Sequence, residues 1–210
     1  MAVDVEGSTS RTNMGRAGLR RVMYDLLEEA LRTSGIAPEH HDELIDRGDG
    51  ALVLIHPVDE APKTVLLNTV IPTLCALLAD HAHRAPEEAI RLRTAVHAGE
   101  VHYDERGIYG EDVDLTFRLL SAPALKKRLR EIEAPMVLVA SDHIYRSLIR
   151  QGYDGIDGAA FKQLVRVKIG DQQVRGWVQI PDQRYLVPVP QHIDIPRDGR
   201  ASTWELRRGA

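Results

Sequence analysis

Two apolar helix faces, set between short strand-like runs, constrain this chain more than any other feature. Leu19, Val22, Met23, Leu26, Leu27, Ala30 and Leu31 recur at three- and four-residue spacing. Leu66, Leu67, Val70, Ile71, Leu74, Leu77 and Leu78 repeat the pattern further on. Residues 2–5 read as a strand entering the turn Glu6-Gly7-Ser8-Thr9, and Gly35 suits the end of the first helix. Residues 43–47 and 52–55 read as a hairpin around Gly48-Asp49-Gly50. The second helix starts near Pro62, and Pro72 inside it predicts a kink. Alternation over 92–96 gives another half-buried strand.

Strand, helix, strand, strand, helix, strand is the order of a ferredoxin-like βαββαβ core, so the fold class is α+β. Additions follow. Residues 100–103 look extended and 104–107 turn-like, and 112–120 and 125–132 form helices parted by Pro123. Residues 136–139 make a buried strand, and Ser141 caps a C-terminal helix through 150. A closing β-hairpin joins 164–169 to 174–180 around Gly170-Asp171. One domain is expected over 1–181, with a polar, proline-containing tail over 182–210. The first strand starts unusually close to Asp4 for a central strand, so it is expected to continue upstream of Met1.

Composition removes several function classes. A net charge of -4 argues against nucleic acid as a partner, because neutralising phosphates needs clustered positive charge. The single cysteine builds neither an internal disulfide nor, alone, a zinc site. No apolar run approaches the roughly 20 residues that span a bilayer, so no membrane association is expected, and the expected compartment is the cytoplasm.

Asp4 ends the first strand beside a Gly-Ser-Thr turn, and Asp49 sits in a glycine-flanked hairpin. The first and third strands of a ferredoxin-like sheet are neighbours, so both carboxylates can converge at one sheet end. Two hard oxygen ligands beside free backbone N–H groups suit Mg²⁺ or Mn²⁺ carrying a polyphosphate. The simpler alternative is an Asx-type turn at Asp49 and a surface carboxylate at Asp4.

Four segments in order carry a resemblance. Val3-Asp4-Val5-Glu6-Gly7-Ser8-Thr9 resembles the D-[IV]-x-G-[SF]-T segment of class III adenylyl and guanylyl cyclases, and Arg47-Gly48-Asp49-Gly50 is similar to their G-D hairpin. Residues 93–101 resemble their R-x-G-[IV]-H-x-G-x-V strand, and residues 109–119 their G-D-x-V-N-x-x-x-R-[LM] helix start. The resemblance implies two divalent ions, Mg²⁺ or Mn²⁺, on Asp4 and Asp49, and a nucleoside triphosphate whose 3′-hydroxyl attacks the α-phosphorus. It implies a head-to-tail homodimer with the site between subunits, Arg118 charging the reacting phosphate, Lys168 as a phosphate contact, and backbone N–H groups around Glu6, Gly7, Ser8 and Thr9 cradling phosphates. His97 reads as a structural hydrogen-bonding group, and Trp177 as packing in the closing hairpin.

Three departures bear on substrate and turnover. Ile45 stands where adenylyl cyclases carry their adenine-reading lysine, and it can neither donate nor accept a hydrogen bond. Glu111 replaces the Asp or Thr of the fourth segment. Asp114 replaces the ribose-placing asparagine, and a carboxylate near a triphosphate is repelled by ~1 to 4 kcal/mol at ~4 Å. The sequence leaves open a cyclase that is not adenine-specific, including a pyrimidine cyclase like those of bacterial anti-phage signalling, or a non-catalytic nucleotide-binding or signalling module acting through dimerisation. An unrelated metallohydrolase fits worst, for want of clustered His and Asp ligands.

Overall fold

The computed structural model describes residues 1–181, and the expected tail over 182–210 lies outside the described residues. Strand β1 (Ala2–Val5) leads through a short 3₁₀ turn (Ser8–Ser10) to helix α1 (Asn13–Thr33). The Thr12 side chain caps α1 by accepting from Gly15 N at 3.2 Å. At the far end Gly35 takes φ 78°, and Ile36 N and Gly35 N reach back to the carbonyls of Leu31 and Arg32. That is a Schellman closure, which the left-handed glycine makes possible.

Strands β2 (Ile45–Asp46) and β3 (Gly50–Leu52) form the hairpin, shorter than the sequence pattern suggests. Gly50 belongs to β3 rather than to the turn, because it pairs with Asp4 across the sheet. A Cβ there would lie 2.3 Å from the Val3 carbonyl, so this close approach requires glycine.

Helix α2 (Lys63–Val65), a π-helical segment (Leu66–Val70) and α3 (Ile71–Arg84) run on as one rod. The disturbance expected from Pro72 therefore falls one turn before it. Proline lacks an N–H and crowds the carbonyl four residues back, which here lies within the π segment. Contrary to expectation, this 22-residue stretch, with hydropathy 1.5, is long and apolar enough to cross a membrane. Yet 61% of that window is buried against the rest of the chain, as in a core helix.

Strand β4 (Leu92–Val96) is followed by the separate two-stranded ribbon β5 (His102–Asp104) and β6 (Gly107–Tyr109). Helices α4 (Glu111–Leu120) and α5 (Pro123–Arg130) come next, Pro123 opening the second, where its missing N–H costs nothing. Strand β7 (Met136–Ser141) leads into α6 (Asp142–Ser147), which stops short of residue 150 and gives way to a 3₁₀ turn closed by Gly152 at φ 71°. Strands β8 (Lys162–Ile169) and β9 (Gln172–Gln179) close the sheet.

The seven-stranded sheet runs β2-β3-β1-β4-β7-β9-β8 and is antiparallel except where β4 pairs with β7. Side-chain alternation sorts it into two cores. Val3, Val5, Leu138 and Ala140 face α1 and α3, while Ala2, Ala95, Val137 and Val139 face α4 and α5. Asp4 shares the parity of Ala2, so its carboxylate lies on the α4–α5 side.

Candidate active site

The C-terminal end of β1, the turn after it and the β2–β3 loop meet at one cleft of about 440 Å³. Its lining includes Asp4 and Asp49, with Gly7, Ser8 and Thr9 between them. Backbone pairing fixes this convergence: Asp4 is opposite Gly50, and Val5 N donates to the Asp49 carbonyl at 2.9 Å. The turn opens through Gly7 at φ 69°. No acceptor among the described residues takes the N–H groups of Gly7, Ser8 or Thr9, which leaves them for an anion.

Glu6 departs from the expectation. Its N–H donates to the Arg91 carbonyl at 2.9 Å, and its carboxylate pairs with the Arg91 guanidinium at 2.9 Å. Ladder pairing with the strand beside it uses up this donor, so the cradle starts at Gly7.

Both carboxylates are held. Asp4 forms an ion pair with Arg93, the two side chains being 17% and 15% exposed. Asp49 accepts from the Ser8 hydroxyl. The loop itself is braced from α1: Arg20 donates to Asp46 Oδ1 at 2.7 Å and to the Gly48 carbonyl, while Gly48 N donates to Asp46 Oδ1 at 2.8 Å. These bonds draw the Asp46 carboxyl down to about 2. Arg47, Arg93 and Lys126 add positive charge to the lining, and Arg47 lies over the Phe117 ring at 4.7 Å. Arg93 Nε is buried without an acceptor. Arg47 and Arg93 stand in the motif segments with no role marked by the sequence, and Arg20 and Lys126 stand in none; their place follows from the third dimension.

The donor set fits a hard divalent ion. Two carboxylates and a hydroxyl at one cleft are oxygen ligands, and Mg²⁺ is commonly held by one or two carboxylates together with substrate phosphates. Among the described residues no group of three or more His, Cys, Asp or Glu side chains could hold a metal by itself.

The remaining predicted residues do not reach this cleft. Glu111, Asp114 and Arg118 lie on the exposed face of α4, whose Phe117 and Leu120 line the cleft instead. Ile45 is half-buried on β2 opposite Leu52, packed on the α4–α5 core. Lys168 is exposed on the edge strand β8, opposite Gln173. Two secondary readings also find their places. His97 bonds Ser141 and Asp112 at 2.7 and 2.8 Å. Trp177 lies on β9 and stacks on Tyr145 of α6, with ring centroids 3.5 Å apart.

This is the α+β fold of class III nucleotidyl cyclase catalytic domains, the family that the sequence resembles. Among solved structures, the adenylyl cyclase CyaB from P. aeruginosa aligns over 88% of this chain and 94% of its own, at 15% identity and a TM-score of 0.56. The guanylyl cyclase Cya2 aligns over 85% of this chain and 88% of its own, also at 15% identity, with a TM-score of 0.52. No family model and no curated protein matches the sequence.

Proposed function

We propose that the protein is a class III-type nucleotidyl cyclase. It converts a nucleoside triphosphate to a 3′,5′-cyclic nucleotide and pyrophosphate, and it is not adenine-specific. The observation that carries this reading is the convergence of Asp4 and Asp49 in one cleft beside three free backbone N–H groups.

In the proposed reaction the ribose 3′-oxygen forms a bond to the α-phosphorus, the bond from that phosphorus to the β-phosphate bridge oxygen breaks with pyrophosphate leaving, and the hydroxyl proton passes to solvent water. Asp4 and Asp49 would hold Mg²⁺ or Mn²⁺. Such ions would supply positive charge against the triphosphate and lower the pKa of the 3′-hydroxyl. The Gly7–Thr9 amides would cradle phosphate oxygens, and Arg93, which lines the same cleft, adds positive charge beside them. Arg118, Asp114, Glu111, Ile45 and Lys168 act on the nucleotide from a second, head-to-tail subunit, since their own cleft is out of reach. Ile45 offers no hydrogen bond to adenine, which supports a different base.

Incubating the protein with each of the four nucleoside triphosphates and Mn²⁺ tests this, with pyrophosphate and cyclic nucleotide as readouts. Silence with all four ends the reading. One observation favours a second one, a non-catalytic nucleotide-binding module: Asp114 and Glu111 add two exposed carboxylates to the first turn of α4, the surface that the proposed second subunit would present to the phosphates. Stabilisation by Mn²⁺ and nucleotide without product selects that alternative.

A further inference from the structure

Away from the cleft, three elements are joined through one buried ring. His97 follows β4, and its side chain is only 5% exposed. Its Nδ1 lies 2.7 Å from Ser141 Oγ, and its Nε2 lies 2.8 Å from Asp112 Oδ1 in the first turn of α4. Ser141 is fully buried and caps α6 by accepting from Ile144 N at 3.3 Å. The second oxygen of Asp112 accepts from Glu100 N at 2.8 Å. Gly99 makes this approach possible, because a Cβ there would lie 2.1 Å from the Asp112 carboxyl carbon.

The bonds have one consistent direction. Ser141 Oγ already accepts from the α6 backbone, so its hydroxyl proton is available to donate to His97 Nδ1. That nitrogen is then the acceptor, and Nε2 carries the proton donated to Asp112. We infer that His97, held as the neutral Nε2–H tautomer, is a positioning residue that registers α4 on the sheet and so sets where Asp114 and Arg118 stand. Its consequence for turnover rests on the cyclase reading above; the positioning of α4 does not.

The charged and titratable groups facing the ring are Asp112 from α4, His143 from α6 at a ring-centroid distance of 6.1 Å, and the Met1 amine beside β1. Burial holds the imidazolium back more than Asp112 favours it. Ser141 is not a hydrolytic nucleophile in this arrangement, since no substrate reaches a fully buried hydroxyl.

The full chain, labelled with ¹⁵N in its histidines, gives a direct test at pH 7.5. The expected His97 pattern is a protonated Nε2 and an unprotonated Nδ1; the opposite tautomer or an imidazolium overturns the hydrogen-bond chain. Hydrogen exchange then reads the positioning. His97→Leu, which fills much of the same volume without a polar atom, is expected to speed amide exchange over residues 111–120 at least tenfold while β1 and β3 stay unchanged. His97→Gln, which keeps a donor for Asp112, is expected to restore protection. Uniform change across the sheet, or no change in α4, overturns the inference. If the wild-type protein turns over a nucleotide, His97→Leu lowers kcat with little change in KM. Absent turnover in the wild type condemns the cyclase reading alone and leaves the exchange result standing.

Discussion

The carboxylate cleft and the outer face of α4 hold most of the predicted site residues, yet they are built in opposite ways. In the cleft both acidic groups are already engaged, Asp4 with Arg93 and Asp49 with Ser8, and Asp46 on the adjoining strand β2 is held by Arg20. On α4, Glu111, Asp114 and Arg118 are exposed and make no ion pair among the described residues. The cleft is therefore preorganised, its geometry set within one chain. The α4 face has polar groups but no geometry of its own, which is what a surface completed by a second subunit would need.

Substitutions can break this contrast. Asp49→Ala is expected to reduce Mn²⁺-dependent nucleotide binding beyond the ~10–100-fold typical of outer-shell changes, measured by calorimetry. It is a cleaner probe than Asp4→Ala, which strands the largely buried Arg93 without its partner at a cost of ~3–5 kcal/mol. Binding that survives Asp49→Ala would remove the metal assignment. Gly50→Ala drives a methyl group into the Val3 backbone and should destabilise the fold by about 3 kcal/mol in denaturant titrations. An unchanged midpoint would mean that β3 can shift without disturbing the cleft.

Two smaller effects sharpen the comparison. Arg20→Ala unfastens the loop that presents Asp49, and roughly tenfold weaker nucleotide binding is expected with little change in melting temperature. Equal affinity would show that the turn holds itself. Arg118→Ala, by contrast, should leave monomer stability within about 0.5 kcal/mol, because it is exposed and bonds no side chain among the described residues. A large loss there would mean that α4's outer face already has a structural task.

The smallest expected effect is in pH. His97 has a folded pKa below its ordinary 6.5, so the unfolded chain binds the proton more readily. Its contribution is fully present above 6.5 and declines as pH falls from there toward the folded value. Unfolding titrations between pH 7.5 and 5 should show that decline in the wild type and lose this component in His97→Gln.

Much of the fold was legible because periodicity reports burial directly. The faces of α1 and α3 and the capping role of Ser141 stand as the pattern implied, whereas β4, read as half-buried, is covered on both faces, with Ala95 in the second core and only Arg93 partly exposed. The hairpin boundaries were less legible: a glycine-rich turn looks alike whether or not one glycine lies in the ladder, and only the β1 pairing moves Gly50 into β3. The cleft was half legible. Asp4 and Asp49 carry local turn chemistry, whereas Arg20, Arg93 and Lys126 reach the same region from distant segments and carry no local mark. Glu6 looked like part of the anion cradle, but ladder pairing with the strand beside it had claimed its N–H.

The sequence by itself determined which segments become helix or strand, since each choice depends on side-chain spacing and on φ-restricted residues within a few positions. It also set the chemical kinds of ligand available at positions 4 and 49. Tertiary structure alone decided which charges neutralise one another and which face outward. Ion pairs and hydrogen bonds act over a few ångströms in space, so partners 41 or 85 residues apart, as in Ser8–Asp49 and Glu6–Arg91, are joined only once the strands have paired.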